Sequence, residues 1–132
     1  MTKTTMPERT AFDSKTLERR YYIDEDVYDR ETDRIFFRQW LFVGRVSEIA
    51  EPGSYMLFEL ESESIIVLRD YEGVLRAHHN VCRHRGTRLV NEPTGIFPKS
   101  IQCGYHAWTY ALSGELTGAP FMDEVESFCK ED

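Results

Sequence analysis

The sequence has no apolar run approaching the ~20 residues that a membrane-spanning helix needs. Its first ten residues are polar, without the hydrophobic segment of a secretory leader. Basic charge is in short supply. Sixteen Lys and Arg face 23 Asp and Glu, a net charge of −7, which gives no footprint for nucleic-acid binding. Cysteine is scarce too, at three residues. A disulfide-stapled scaffold is thereby excluded, and a reducing cytoplasm is the expected setting. The chain has no internal repeat and no low-complexity tract.

What is present is ordinary for a soluble globular protein: 41% hydrophobic and 30% charged residues. A chain of 132 residues is long enough for one domain with its own core. Residues 1–15 read as a loose or disordered segment and 16–132 as the folded domain.

The hydrophobic period predicts a helix from Asp24 to about Arg38. Tyr28, Thr32, Phe36 and Trp40 fall on one stripe, with Val27 and Ile35 beside it and Asp24 as N-cap. The period then shortens. Leu41–Val43, Tyr55–Leu60, Ile65–Arg69 and Val74–His79 read as strands, broken by Pro52-Gly53, the turn at 61–64 and Glu72-Gly73. Tyr110–Leu112 and Glu115–Thr117 flank Ser113-Gly114, a two-residue hairpin signal. The fold class is therefore mostly β, with small antiparallel sheets after an amino-terminal helix. Phe36, Phe37, Trp40 and Phe42 read first as core; the alternative is a surface that covers a partner domain.

Two short runs carry the chemistry: Cys82-Arg83-His84 and Cys103-Gly104-Tyr105-His106. Each supplies one thiolate and one imidazole. In an extended backbone Cys82 and His84 point the same way, and a tight loop brings Cys103 and His106 together. Two Cys and two His form the ligand set of a Rieske [2Fe–2S] centre, with Cys82 and Cys103 expected on one iron and His84 and His106 on the other. A tetrahedral zinc ion takes the same residue types. Its usual spacing groups like ligands together, whereas here Cys and His alternate. The other two histidines, His78 and His79, are adjacent on a predicted strand and face opposite sides of it. They are expected to bind no metal.

The flanks add a resemblance. Asn80–Gly86 and Cys103–Tyr110 resemble the two cluster loops of the alpha subunit of Rieske non-heme iron oxygenases, the ring-hydroxylating dioxygenases and related monooxygenases and demethylases. The match extends to Trp40–Arg45, Glu63–Asp70 and Gly114–Met122. It implies a Rieske-type fold and an iron–sulfur cluster held by Cys82, His84, Cys103 and His106. It also implies a reductase or ferredoxin as electron donor, and a catalytic domain or neighbouring alpha subunit, in a trimer, as acceptor. The family's second iron is mononuclear Fe(II) bound by two His and a carboxylate in a separate C-terminal domain. That triad is not expected among these residues, so the chain is read as catalytically incomplete, with no catalytic residue of its own. A free-standing Rieske ferredoxin is the alternative.

Respiratory-chain Rieske proteins carry an extra Cys in each loop, where Thr87 and Tyr105 stand here, and a Ser where Trp108 stands. Losing that hydroxyl predicts a potential in the lower half of the Rieske range, roughly −150 to +300 mV. Gly104 replaces the family's usual Pro, which predicts a looser second loop or a new amide aimed at sulfur. Gly86 is read either as an opening for amides to approach the sulfides or as a simple turn.

Overall fold

The computed structural model describes residues 15–122 and 124–130. The expected loose segment therefore lies almost wholly outside the described residues. The chain divides into two units, Met1–Phe42 and Val43–Asp132.

In the first unit, α1 (Arg20–Ile23) and α2 (Glu25–Glu31) lead into a π-helical turn, Thr32–Phe36. Glu25 and Asp26 in the first turn of α2 and Arg30 in its last complement the helix dipole. The predicted single helix is thus two segments, α2 and the π-helical turn, with the unpredicted α1 before them. The Phe37 N–H donates to the Thr32 carbonyl at 3.0 Å, five residues back. That extra residue breaks the four-residue stripe expected from the sequence. Val27 and Thr32 are buried, whereas Tyr28, Phe36 and Trp40 are exposed. The core reading of the aromatic cluster is overturned: Trp40 is 102% and Phe42 81% exposed, and Phe36 and Phe37 are exposed as well. Leu41–Val43 forms no strand.

The second unit holds two antiparallel sheets. The first has the order β3-β2-β1-β4, built from β1 (Ser54–Leu60), β2 (Glu63–Arg69), β3 (Leu75–His79) and β4 (Thr94–Ile96). The second has the order β5-β6-β7, from β5 (Ser100–Gln102), β6 (Thr109–Ala111) and β7 (Leu116–Gly118). Three of the four predicted strands and the hairpin appear within a residue or two of their expected bounds. The short strands β4 and β5, and a 3-10 turn at Val46–Ile49, carried no periodic signal.

Alternation sets the core. In β2, Ile66 and Leu68 are buried and pair with Leu57 and Tyr55 of β1. In the second sheet Tyr110 is buried opposite Ile101 and Leu116. These side chains belong to one cluster, and that cluster includes Cys82 and Cys103. The core therefore runs up to both chemistry-bearing loops. Tyr55 stacks on Phe97 with ring centroids 4.4 Å apart. Gly53 is required where it stands: its φ is +82°, and a Cβ there would lie 2.5 Å from the Phe97 carbonyl oxygen. Among the described residues no helix is long and apolar enough to cross a membrane.

Asp70 closes the turn between β2 and β3. Its buried carboxylate accepts the Val74 N–H at 2.7 Å and the Arg76 guanidinium at 2.9 Å. Burial pushes its pKa up, but the Arg76 and backbone donors outweigh that, so the carboxyl sits below its ordinary value. A depressed carboxylate stabilises the fold above its unfolded pKa, and that contribution disappears as pH falls through the folded value. Asp70→Asn is expected to lower the melting temperature by several degrees near neutral pH. The gap from wild type should narrow once the pH drops below about 4. Thermal unfolding followed by circular dichroism across that range checks both.

Candidate metal centre

Asn80 ends β3 and directs the first loop. Its buried amide donates to Ser64 Oγ at 3.1 Å and to the Val90 carbonyl at 2.8 Å. Its Oδ1 accepts the Leu89 and Val90 N–H groups at 3.1 and 2.9 Å. One fully satisfied side chain thereby joins the strand before the loop to the segment after it.

The two loops share a backbone design. The Cys82 N–H donates to the Thr87 carbonyl at 2.7 Å, and the Gly86 N–H donates back to the Cys82 carbonyl at 2.9 Å. The second loop repeats this with Cys103 to Trp108 at 2.8 Å and Ala107 to Cys103 at 3.0 Å. In both, the fourth residue after the Cys has positive φ: +69° at Gly86 and +57° at Ala107. Gly86 is thus a turn glycine, and a Cβ there would meet nothing within 4 Å. Gly104 has no positive φ and open space around it. The amides that hold Cys103 are those of Tyr105 and His106, so the expected new Gly104 donor is not what reaches that sulfur.

The four expected ligands meet as two pairs. Cys82 and Cys103 are buried in one cluster of side chains, and Cys82 is among the groups that lower the Cys103 pKa. The His84 and His106 rings lie edge to face with centroids 4.8 Å apart. Among the described residues no three His, Cys, Asp or Glu side chains converge as the ligands of a single ion would. Two separate pairs suit a binuclear cluster. His106 Nδ1 is buried without a hydrogen-bond partner, as a nitrogen reserved for a metal would be. Burial, then the charges of His106 and Arg85, hold His84 below the usual imidazole pKa, in the neutral ligand form. Burial pushes the Cys103 thiol up, but the Tyr105 and His106 amides and the Cys82 contact bring it down overall, toward the thiolate.

Tyr110 was read from the sequence as the start of a strand and the end of the second loop's resemblance, with no role toward sulfur. In the structure its hydroxyl accepts the Arg83 N–H at 3.1 Å, which leaves its own proton for Cys82 Sγ at 3.3 Å. Burial, together with that sulfur contact, raises its pKa to about 12. The pairing of β6 with β7 has a register irregularity between Thr109 and Tyr110. The available signal was position: Tyr110 is the seventh residue after Cys103, where the second loop rejoins its sheet. Trp108 stacks on His84 at 4.7 Å and 6°, and Tyr105 lies over His106 at 3.8 Å. His78 donates through Nε2 to the Leu112 carbonyl at 2.9 Å, and His79 pairs with Glu63 at 3.6 Å.

A buried thiol pair beside an imidazole pair, held by two matched turns, defines an iron–sulfur-binding β domain. Residues 39–129 match the Rieske [2Fe-2S] domain, and the chain belongs to that family. It is 40% identical over 112 residues to the carnitine monooxygenase oxygenase subunit of Acinetobacter baumannii, covering 85% of this chain and 30% of that protein. It is 38% identical over 109 residues to the chlorobenzene dioxygenase alpha subunit of a Cupriavidus species, covering 83% and 24%. Among solved structures, it resembles a quaternary ammonium Rieske monooxygenase described in terms of carnitine oxidation and inter-subunit electron transfer. That match has a TM-score of 0.80 at 40% identity, covering 85% of this chain and 30% of the other. Naphthalene 1,2-dioxygenase from a Rhodococcus species matches at TM-score 0.72 and 38% identity, covering 77% and 23%. The chain thus spans less than a third of the length of these relatives.

Removing the Tyr110 proton donor leaves more electron density on the Cys82 sulfur. Tyr110→Phe is expected to lower the midpoint potential of the iron–sulfur-loaded protein by tens of millivolts while its EPR signal persists. A redox titration reads the shift. Ala107 holds a conformation that L-residues adopt at a cost of about 1–2 kcal/mol. Ala107→Gly should therefore gain about 1 kcal/mol in urea unfolding, and Gly86→Ala should lose a similar amount.

Proposed function

We infer that this chain is the electron-storing domain of a Rieske-type oxygenase, extending from about residue 16. Cys82 and Cys103 would hold one iron of a [2Fe–2S] cluster, and His84 and His106 the other. The observation that carries this is the sorting of four side chains by kind, sulfur with sulfur and imidazole with imidazole, across two loops of the same backbone form. When bound, such a cluster stores and releases one electron. The chain's own residues bury the sulfurs, supply amides and the Tyr110 hydroxyl to them, and leave the imidazoles half-buried near the surface.

The relatives' names support an oxygenase setting: monooxygenase oxygenase subunits and dioxygenase alpha subunits. On this reading a reductase or ferredoxin delivers electrons. They leave toward a mononuclear non-heme iron held by residues other than these, in the same subunit or a neighbouring one. The work is done in a reducing compartment, the cytoplasm, because Cys129 is the only cysteine outside the proposed ligand set.

Iron and acid-labile sulfide analysis on anaerobically prepared protein tests the centre. Two of each per chain are expected, with the visible and EPR spectrum of mixed His/Cys ligation. Cys82→Ser and Cys103→Ser should each abolish both. A single zinc ion in their place ends the proposal, and efficient electron delivery to a separately made oxygenase redirects it to a carrier.

A further inference from the structure

The two imidazoles of the proposed ligand set are held in different ways. Tyr105, next to His106 in the same loop, tilts over that ring at 36° and is itself exposed. His84 is held from the opposite loop. The Trp108 indole lies within 6° of parallel to its ring, with centroids 4.7 Å apart, and Trp108 is only 7% exposed. A metal-ligating imidazole is usually oriented by a hydrogen bond to its second ring nitrogen. Among the described residues no protein group hydrogen-bonds to the His84 ring. The indole face is therefore what fixes its plane.

The indole has a support of its own. The half-buried Phe128 ring meets it at 60° with centroids 5.6 Å apart, a tilted arrangement that aromatic pairs favour. Three successive turn hydrogen bonds carry the chain there from the end of β7. The Met122 N–H donates to the Ala119 carbonyl at 3.2 Å, Val125 to Met122 at 3.1 Å, and Phe128 to Val125 at 3.0 Å. Trp108 and Phe128 also border an open cavity of about 750 Å³, shared with Tyr110 and Leu116. On that side the indole has room to tilt. Among the described residues Phe128 is the only ring besides His84 in aromatic contact with it. Its Nε1 is buried without a hydrogen-bond partner, so the indole serves no polar contact within the described chain. What it supplies is a wide flat face between two other rings.

We propose that Phe128 is a positioning residue for the metal centre: its contact with Trp108 sets the plane of the His84 imidazole. This rests on the proposed electron-storing function and adds a part to it. The chain that follows β7 is thereby joined to one ligand through two rings. Removing the Phe128 ring frees the indole to tilt into the cavity, loosens the imidazole and admits water to it. Reduction adds negative charge to such a centre, so water at the imidazole favours the reduced form and raises the potential.

The test uses the full chain loaded with its cluster. Phe128→Ala and the milder Phe128→Leu should both raise the midpoint potential and broaden the g-values of the reduced-state EPR spectrum, with iron and sulfide content unchanged. Phe128→Tyr keeps the ring and should match wild type in both. Because the effect runs through the indole, Phe128→Leu in a Trp108→Phe background should shift the potential less than half as far as it does alone. Phe97→Leu is the control for general loosening. It breaks the Tyr55 stack elsewhere in the same core, and should lower the melting temperature with potential and EPR unchanged. An unaltered potential and spectrum in Phe128→Leu overturn the proposal. So does an equal shift in Phe97→Leu, or full additivity of the Phe128 and Trp108 changes. A wild-type chain that takes up no cluster fails the earlier functional reading, and NMR then decides this one. The His84 ring protons, shifted upfield by the stacked indole, should move toward exposed-imidazole positions in Phe128→Leu; unmoved resonances overturn the proposal.

Discussion

Two sulfurs buried at the edge of a hydrophobic core are the constraint on which the rest of this unit depends. Cys82 and Cys103 belong to the same cluster of buried side chains as Ile66, Leu68 and Tyr110. A thiolate in such surroundings is costly without donors aimed at it. The loops supply them: amides of Tyr105 and His106 at Cys103, and the Tyr110 hydroxyl at Cys82. Both loops close through the same pair of backbone hydrogen bonds, so each sulfur is held by its own turn. The half-buried imidazoles are held more lightly, through stacking on Trp108 and Tyr105.

The two small sheets serve this arrangement. β3 delivers the first loop, with Asn80 joining its two ends, and β5 and β6 deliver the second. His78 connects the sheets through its hydrogen bond to Leu112, against the turn glycine Gly114, whose Cβ would lie 2.8 Å from the imidazole ring. A histidine of the type that ligates metals therefore has a purely architectural role here. The same is true of Asp70 and Arg76, whose pairing closes the β2–β3 turn.

What could be read from the sequence depended on how local its signal was. The ligand candidates were legible because Cys and His in compact runs are rare. The long strands were legible because β1 and β2 are runs rich in β-branched and aromatic residues bounded by turn signals at Pro52-Gly53, 61–64 and Glu72-Gly73. β4 and β5 were not, since three residues carry no period and owe their pairing to the partner strands β1 and β6. The helix was misjudged for a related reason. A π-turn inserts one residue into the stripe, and nothing in Thr32–Phe36 announces it. Tyr110 was missed because its role is tertiary: its hydroxyl reaches back 27 residues to the Arg83 amide, a contact that residue type alone does not encode.

The matched loops also separate which of their small residues matter. Departure from a family pattern at Gly104 looked consequential, yet its backbone is one any residue can adopt and its surroundings are open. The real demand falls three residues later. The turn needs a left-handed residue at the fourth place after each Cys, and the first loop meets it with Gly86 while the second imposes it on Ala107. His106 is therefore the residue before a strained one, whereas His84 precedes Arg85 and a relaxed glycine. The two halves of the centre share a backbone form but not a stiffness. The imidazole whose Nδ1 is buried and unpartnered is the one next to the strain, and a metal bond there would hold the loop in a shape that its own sequence resists.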